Sequence, residues 1–320
     1  MDAKTLFPRS RLLLSAGTLP KAGFIERVDA AQKAGFDAIA LFPQQYLRAR
    51  KKEKLTPADM REILAERNVT LDEVDPLLDW FGPKASRAEN LMFEIANELG
   101  ARSVNTPPAF APAIDLQELT AALARVCERA NSHGLRVDLE FLPWTLVPDL
   151  RTALRVLDDA GQANLGITLD VWHFFRGGDT VATLHDLKPE EAAHITNLQV
   201  NDAPATRRSL SLRDKLSLLG VTLDQVIDGI NVHGARQFFK VSSAMKSTRP
   251  DATALMTEAS SARLLPGEGD MALADWLVAL DSVGCKPTVG VEIFSLELAR
   301  RPAAEVAARA MAAYRGVVVT

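Results

Sequence analysis

The stretch "DLQELTAALARVCERANSHGLRVDLEFLP" (residues 115–143) decides the fold, because it contains one helix-like and one strand-like segment in succession. Apolar residues recur at helical spacing over residues 115–134, and Gly134 ends that segment. Residues 135–143 then form a short apolar run of the kind that is typical of a buried strand. The same succession repeats along almost the whole chain.

Eight strand-like runs are predicted from this pattern. They cover residues 11–17, 36–42, 69–75, 101–107, 135–143, 165–173, 195–202 and 287–295. Helix-like segments separate them, with Thr56 predicted as one helix cap and Ser86 and Glu89 as a capping box. Parallel strands require crossovers of about a dozen residues, and eight such units favour a closed barrel over an open sheet. We therefore predict an α/β protein, a single-domain (β/α)8 TIM barrel over residues 1–320.

Composition excludes several classes of function. Hydrophobic residues make up 47% of the 320 residues and the net charge is −4, which indicates a large core and no general affinity for polyanions. The most basic run, "RARKKEKL" (48–55), is predicted to be a solvated helix end, so no nucleic-acid partner is expected. The sequence has no signal-peptide core and no apolar stretch of about 18 residues, so no membrane partner is expected. Cys127 and Cys285 form no disulfide framework, which fits a cytoplasmic protein.

One region interrupts the repeating pattern. Residues 205–262 fill a place where one loop and one helix would suffice, and we predict an extended insertion after the seventh strand. Within it, residues 212–230 are predicted to be helical, whereas residues 240–261 show little pattern. The insertion is interpreted as a lid or a subunit contact of a homo-oligomer, with a loosely ordered segment without a role as the alternative.

Oxygen-bearing side chains occur near the ends of the last four predicted strands. They are Glu140, Asp170, Gln199 and Glu292. In a parallel barrel these ends meet at one mouth, where three buried carboxylates cannot all stay ionised without a counter-charge. A divalent cation such as Mn²⁺, Mg²⁺ or Co²⁺ removes that conflict, and oxygen ligands suit such an ion. The alternative is a set of buried salt bridges to arginines of the barrel.

Eight short motifs together resemble the xylose isomerase-like TIM-barrel superfamily, in particular the sugar phosphate isomerase/epimerase group. They are "SAGTLP", "AGFDAIALF", "ANELGA", "DLEFLPW", "LDVWHFFRGGD", "LQVNDAP", "RLLPGEGD" and "VEIF". The resemblance extends from about residue 11 to about residue 300, and the group includes inosose dehydratases and 3-dehydroshikimate dehydratases. It implies that the four strand-end residues hold one divalent metal ion.

The resemblance also implies roles for individual side chains. Glu140 and Glu292 would be both metal ligands and the acid/base pair, and His173 would contact a substrate oxygen. Four further residues are expected to bind substrate, namely Trp144, Trp172, Asp202 and Arg263. Core packing is the alternative for the two tryptophans, and a salt bridge to Glu268 is the alternative for Arg263.

Two features depart from the family pattern and leave the reaction open. Position 199 is glutamine where many epimerases have histidine, and this glutamine is similar to that of some dehydroshikimate dehydratases. The insertion is the second departure. The first hypothesis is a metal-dependent isomerase or epimerase that acts on a sugar or cyclitol through an enediolate. The second is a dehydratase of a cyclic hydroxy-ketone, and the third is an inactive barrel that serves as a binding or partner subunit.

Overall fold

The computed structural model describes residues 6–206 and 251–319. Eight parallel strands close into a barrel in chain order, and each of the eight lies within one of the predicted runs. They are β1 (Leu12–Leu14), β2 (Ala38–Leu41), β3 (Thr70–Val74), β4 (Ser103–Asn105), β5 (Arg136–Glu140), β6 (Leu165–Asp170), β7 (Ile195–Val200) and β8 (Thr288–Val291). The pairing of Leu13 with Gly290 closes the barrel between β1 and β8. The predicted (β/α)8 barrel is therefore confirmed.

Helices connect the strands on the outside of the barrel. In the described part of the chain they are α1 (Phe24–Ala34), α2 (Pro43–Lys51), α3 (Pro57–Glu66), α4 (Arg87–Leu99), α5 (Leu116–Asn131), α6 (Leu150–Ala160), α7 (Val171–Gly177), α8 (Val181–His185), α9 (Pro189–Ala193), α10 (Ala252–Ala259), α11 (Leu273–Ser282) and α12 (Ala303–Val317). Their apolar faces pack against the outward side chains of the strands, such as Leu14, Ile39 and Leu41, in one large core.

Local sequence signals place several helix ends. The Thr56 side chain accepts a hydrogen bond from the Asp59 backbone N–H, as its prediction as a cap requires. Ser86 likewise accepts from the Glu89 backbone N–H. The Glu89 carboxylate forms an ion pair with Arg129 on α5, a contact that the capping-box interpretation did not anticipate.

Three segments differ from the prediction in detail. The sixth predicted run extended to residue 173, but β6 ends at Asp170 and α7 begins at the next residue. Part of the region with little pattern forms α10, while residues 207–250, which include the predicted helix over 212–230, lie outside the described residues. The basic run at 48–55 occupies the end of α2, where Arg50 and Lys51 are exposed.

The inside of the barrel is divided into an apolar and a polar half. Leu13, Ala38 and Ala40 of β1 and β2 form a small apolar cluster separate from the outer core. The strands from β3 to β7 place polar residues such as Glu73, Asp138 and Asn197 in the interior, all of them buried. The polar half leads up to the strand ends from which the predicted site residues come.

Two expectations from composition can be compared with the described residues. Cys127 and Cys285 are both buried free thiols. Among the described helices, none has the length and the apolar character needed to cross a membrane.

Candidate active site

The four predicted ligands meet at the carboxyl-terminal mouth of the barrel. Glu140 and Asp170 are the last residues of β5 and β6, Gln199 lies in β7, and Glu292 directly follows β8. Strand register aligns them, because Asp170 pairs with Gln199 and Gln199 pairs with Gly290. All four side chains are buried.

The Gln199 amide lies at the centre of this group. One of its two outer atoms is 3.1 Å from Glu140 Oε1, 3.1 Å from Glu292 Oε2 and 3.2 Å from Asp170 Oδ2. An NH2 group at that position has two hydrogens and cannot satisfy three carboxylates, whereas an amide oxygen there completes a set of four convergent oxygens. Adjacent oxygens around a divalent ion at about 2.1 Å lie roughly 3 Å apart. The residues present therefore fit a divalent cation.

His173 lies beside the same carboxylates. Asp170 Oδ1 accepts a hydrogen bond from the His173 backbone N–H at 3.0 Å, so Asp170 caps α7 and brings the imidazole to the mouth. His173 Nε2 lies 3.3 Å from Glu140 Oε1, and single ligand atoms of Glu140, Asp170 and His173 lie within 4.8 Å of one another. His173 was predicted to contact substrate, and its position also makes it a candidate metal ligand.

Arg263 reaches the site from the loop after α10. Its Nη1 donates to Asp170 Oδ2 at 2.6 Å and to Glu292 Oε2 at 3.2 Å, while its Nε donates to the backbone oxygen of Ala259 at 2.8 Å. The expected alternative, a salt bridge to Glu268, is wrong, because Glu268 pairs with Arg309. Salt bridges to arginine, the alternative to a metal site, thus exist for two of the three carboxylates.

The imidazole of His173 also contacts Arg263. Arg263 Nη2 lies 3.2 Å from His173 Nε2. Because a guanidinium can only donate, Nε2 accepts from Arg263 when it is unprotonated and donates to Glu140 when it is protonated. The position of this proton therefore decides which neighbour the imidazole binds.

Two further polar residues at the mouth were missed by the sequence analysis. Asp75 follows β3, Asn105 ends β4, and Asn105 Nδ2 donates to Asp75 Oδ1 at 2.9 Å and to Glu140 Oε2 at 2.6 Å. Both lie at strand ends in "LDEVDP" and "ARSVNTP", so the pattern that identified the other four residues could have identified these. The mouth accordingly contains four carboxylates, those of Asp75, Glu140, Asp170 and Glu292.

The carboxylates influence one another's protonation. Burial and the charge of Glu140 raise the pKa of Asp75 to about 7, although Asn105 and Arg263 act in the opposite direction. Burial also raises the pKa of Glu292 well above its usual range, Arg263 opposes this, and Asp75 adds to it. One guanidinium is insufficient for four carboxylates, so the protein without a cation retains protons here that a cation would displace.

A pH-dependent stability follows for the metal-free protein. Both Asp75 and Glu292 have folded-state pKa values above their unfolded ones, so their protonated forms favour folding and this contribution is lost as pH rises from about 4 through about 7. In chelator, Tm should fall between pH 5.5 and 8 by about 5 °C or more, and added Mn²⁺ should raise Tm more at pH 8. Thermal unfolding at several pH values checks this expectation. The Tm of Asp75→Asn should fall less over this pH range than the Tm of the wild type. A metal-free Tm that does not change with pH would contradict it.

The two tryptophans form one wall of the site. Trp144 and Trp172 contact each other and His173 edge to face, with ring centroids 5.1–6.3 Å apart. Trp172 is fully buried, and the guanidinium groups of Arg176 and Arg263 lie 5.7 and 5.9 Å from its ring. Both tryptophans belong to a buried apolar cluster, and a substrate contact of either one stays a prediction.

Asp202 lies in the loop that follows β7. Its Oδ1 accepts hydrogen bonds from the backbone N–H groups of Ala203 and Met271, and its Oδ2 accepts from that of Gly267. Asp202 also forms an antiparallel bridge with Leu264. These contacts join the two ends of the insertion, which gives Asp202 a structural role. Its predicted contact with substrate stays a prediction.

Comparison with known proteins identifies the class to which this fold and site belong. A model of the family described as xylose isomerase-like TIM barrel matches residues 28–316, and the chain therefore belongs to that family. The family resemblance noted in the sequence is confirmed.

Individual relatives agree with this assignment. A curated 3-dehydroshikimate dehydratase of Pseudomonas putida is 26% identical over 198 residues, a match that covers 59% of this chain and 29% of that protein. The chain thus matches under a third of the length of this relative. Two solved structures share the fold: an IolI protein with a bound zinc atom (TM-score 0.70, 18% identity, 96% and 98% of the two chains) and the probable 3-dehydroshikimate dehydratase AsbF of Bacillus anthracis (TM-score 0.63, 16% identity, 95% and 98%).

Proposed function

We propose that the protein is a divalent-metal-dependent dehydratase that acts on a cyclic hydroxy-ketone of the 3-dehydroshikimate or inosose type. The observation on which this depends is the convergence of Glu140, Asp170 and Glu292 on the Gln199 amide within 3.2 Å. Two further points favour dehydration over isomerisation. They are glutamine at position 199, which is similar to some dehydroshikimate dehydratases, and the curated relative with that activity.

The four convergent side chains would hold the cation. Once bound, a divalent ion there would supply a fixed positive charge that polarises a substrate carbonyl and makes the neighbouring C–H bond more acidic. Arg263 adds a second positive charge on the side of Asp170 and Glu292. Both positive charges would stabilise the negative charge that develops on the carbonyl oxygen when the proton leaves.

The glutamates provide the base for this step. Glu140 and Glu292 are both buried at the mouth, so either carboxylate would be held close to the carbon that loses its proton. In the proposed reaction a glutamate takes the proton from the carbon next to the carbonyl. The electron pair then forms the new C=C bond as the C–O bond to the β-hydroxyl breaks. An acid gives its proton to that oxygen, which leaves as water.

His173 is the candidate for this acid or for a hydrogen bond to the substrate. Its Nε2 lies within reach of both Glu140 and Arg263, so a proton on it can be passed to a nearby oxygen. The rings of Trp144 and Trp172 exclude water from this side of the imidazole.

Isomerisation or epimerisation of a sugar or cyclitol is the second candidate. It is favoured by the origin of the two glutamates, because Glu140 comes from β5 and Glu292 follows β8, so they approach the centre from different sides. Such a pair can remove a proton from one face of a carbon and return it to the other. The initial step, proton removal next to a carbonyl, is the same in both candidates.

Ultraviolet absorbance distinguishes the two reactions. We expect metal-loaded protein to convert 3-dehydroshikimate or an inosose into a product with a conjugated absorbance band, with a kcat within the usual range of about 1–1000 s⁻¹. A ketohexose should give no such band. The control is protein treated with chelator and assayed identically. A change in the sugar's configuration without any new absorbance would support epimerisation, and no turnover of any of these substrates would contradict both candidates.

A further inference from the structure

Glu140 is bound on one side by a residue that the proposed chemistry does not use. Asn105 Nδ2 donates to Glu140 Oε2 at 2.6 Å, while Glu140 Oε1 lies on the other side, 3.1 Å from the Gln199 amide and 3.3 Å from His173 Nε2. The two oxygens of Glu140 thus have different partners. Oε1 faces the cluster of candidate ligands and Oε2 faces Asn105.

The orientation of the Asn105 amide is itself determined by a neighbour. Its NH2 group has two hydrogens, and Asp75 Oδ1 accepts one of them at 2.9 Å. The NH2 group of Asn105 must therefore face the carboxylate oxygens of Asp75 and Glu140. A rotated amide would instead turn the Asn105 oxygen toward these two carboxylate oxygens, where no hydrogen bond can form. Asn105 is fully buried and Asp75 and Glu140 are nearly so, so water does not compete for these bonds.

We propose that Asn105, oriented by Asp75, is a positioning residue that directs a single oxygen of Glu140 to the metal. This inference depends on the proposed metal-dependent function. Because the amide binds Oε2, Glu140 would hold the cation through Oε1 alone. Removal of a residue that hydrogen-bonds to a metal ligand typically lowers metal affinity or activity by about 10- to 100-fold.

The chain offers a matched control for the loss of a buried amide. Asn197 on β7 is also buried, and its Nδ2 donates to Glu73 Oε2 at 2.7 Å. Asn197 thus makes the same type of bond to a buried carboxylate, but to one that is not among the candidate ligands. Replacing either asparagine with alanine removes the same amide from the barrel interior.

The test is a titration of metal-stripped protein with Mn²⁺, followed by isothermal calorimetry or by electron paramagnetic resonance. Asn105→Ala should weaken binding about 10- to 100-fold, while Asn197→Ala should remain near the wild-type affinity despite a comparable fall in Tm. Equal affinities of the two variants for Mn²⁺ would overturn the proposal. Wild-type protein that binds no Mn²⁺ would instead refute the proposed function.

Two variants at position 75 separate orientation from charge. Asp75→Asn retains an oxygen that can accept from Asn105, whereas Asp75→Ala retains none. If Asp75 orients the amide, Asp75→Asn should bind Mn²⁺ more tightly than Asp75→Ala, whose affinity should approach that of Asn105→Ala. Equal losses in the two variants would show that Asp75 acts through its charge and would overturn its orienting role.

Discussion

Replacing Glu292 with alanine is expected to lower kcat/KM by about 1000-fold or more while leaving the fold intact. The change removes a candidate ligand and a candidate base together, and loss of general base catalysis alone lowers rates by about 100- to 10,000-fold. The fold should persist because Arg263, the partner of Glu292, also binds Asp170. Steady-state kinetics on the dehydration substrates and circular dichroism check the two parts of this expectation.

Stability measurements sharpen this first prediction. Because burial raises the pKa of Glu292, removing this carboxylate should leave the Tm of the metal-free protein unchanged or higher. Glu297→Ala is a suitable control, since Glu297 is an exposed glutamate five residues further along whose contact is an ion pair with Arg301. Glu297→Ala should keep wild-type kinetics. Retention of more than about a tenth of the activity by Glu292→Ala would exclude it as the base.

Removing the cation should have an effect of similar size. Dialysis against a chelator, followed by removal of the chelator, is expected to lower activity to about 1% or less, because the charge that polarises the carbonyl is lost. Mn²⁺, Mg²⁺ or Co²⁺ should restore it, and the ion that does so at the lowest concentration is the candidate for the native metal. Elemental analysis should find about one divalent ion per chain.

The ligand set provides the control for metal removal. Asp170 is fully buried and accepts bonds from Arg263 and Asn201, so Asp170→Asn preserves its shape while removing a charge. This variant should retain less metal after purification than the wild type, and added Mn²⁺ should restore less of its activity. Metal-free wild-type protein with full activity would refute both candidate functions at once.

The strands could be predicted because their physical signal is local. Each is a short apolar run between helix-like segments, and the ends of parallel strands in a barrel must share one mouth. That rule alone brought Glu140, Asp170, Gln199 and Glu292 together in the prediction, and in the structure one oxygen of each carboxylate lies 3.1–3.2 Å from the Gln199 amide. Register relates these residues although they lie far apart in sequence, and their role as metal ligands stays a prediction.

The parts that could not be predicted depend on contacts between distant segments. Arg263 is 93 residues from Asp170, and its local sequence, "RLLPGEGD", made Glu268 the more obvious partner. The strand-end pattern could have identified Asp75 and Asn105 as residues of the mouth, but their bonds to each other and to Glu140 could not be predicted from the sequence. Asp170 was expected to lie inside a strand, whereas its side chain also begins α7.

The bond from Arg263 to Ala259 has a consequence for anyone who engineers this protein. The acceptor is a main-chain oxygen in the last turn of α10, so no exchange of the Ala259 side chain can remove it. Surface redesign of that helix would leave the guanidinium aligned, whereas shortening the segment or introducing a proline would release it. Laboratory evolution of new substrate preferences should therefore accept point changes at the exposed positions of α10, such as Thr253 and Ala254, and reject changes in its length.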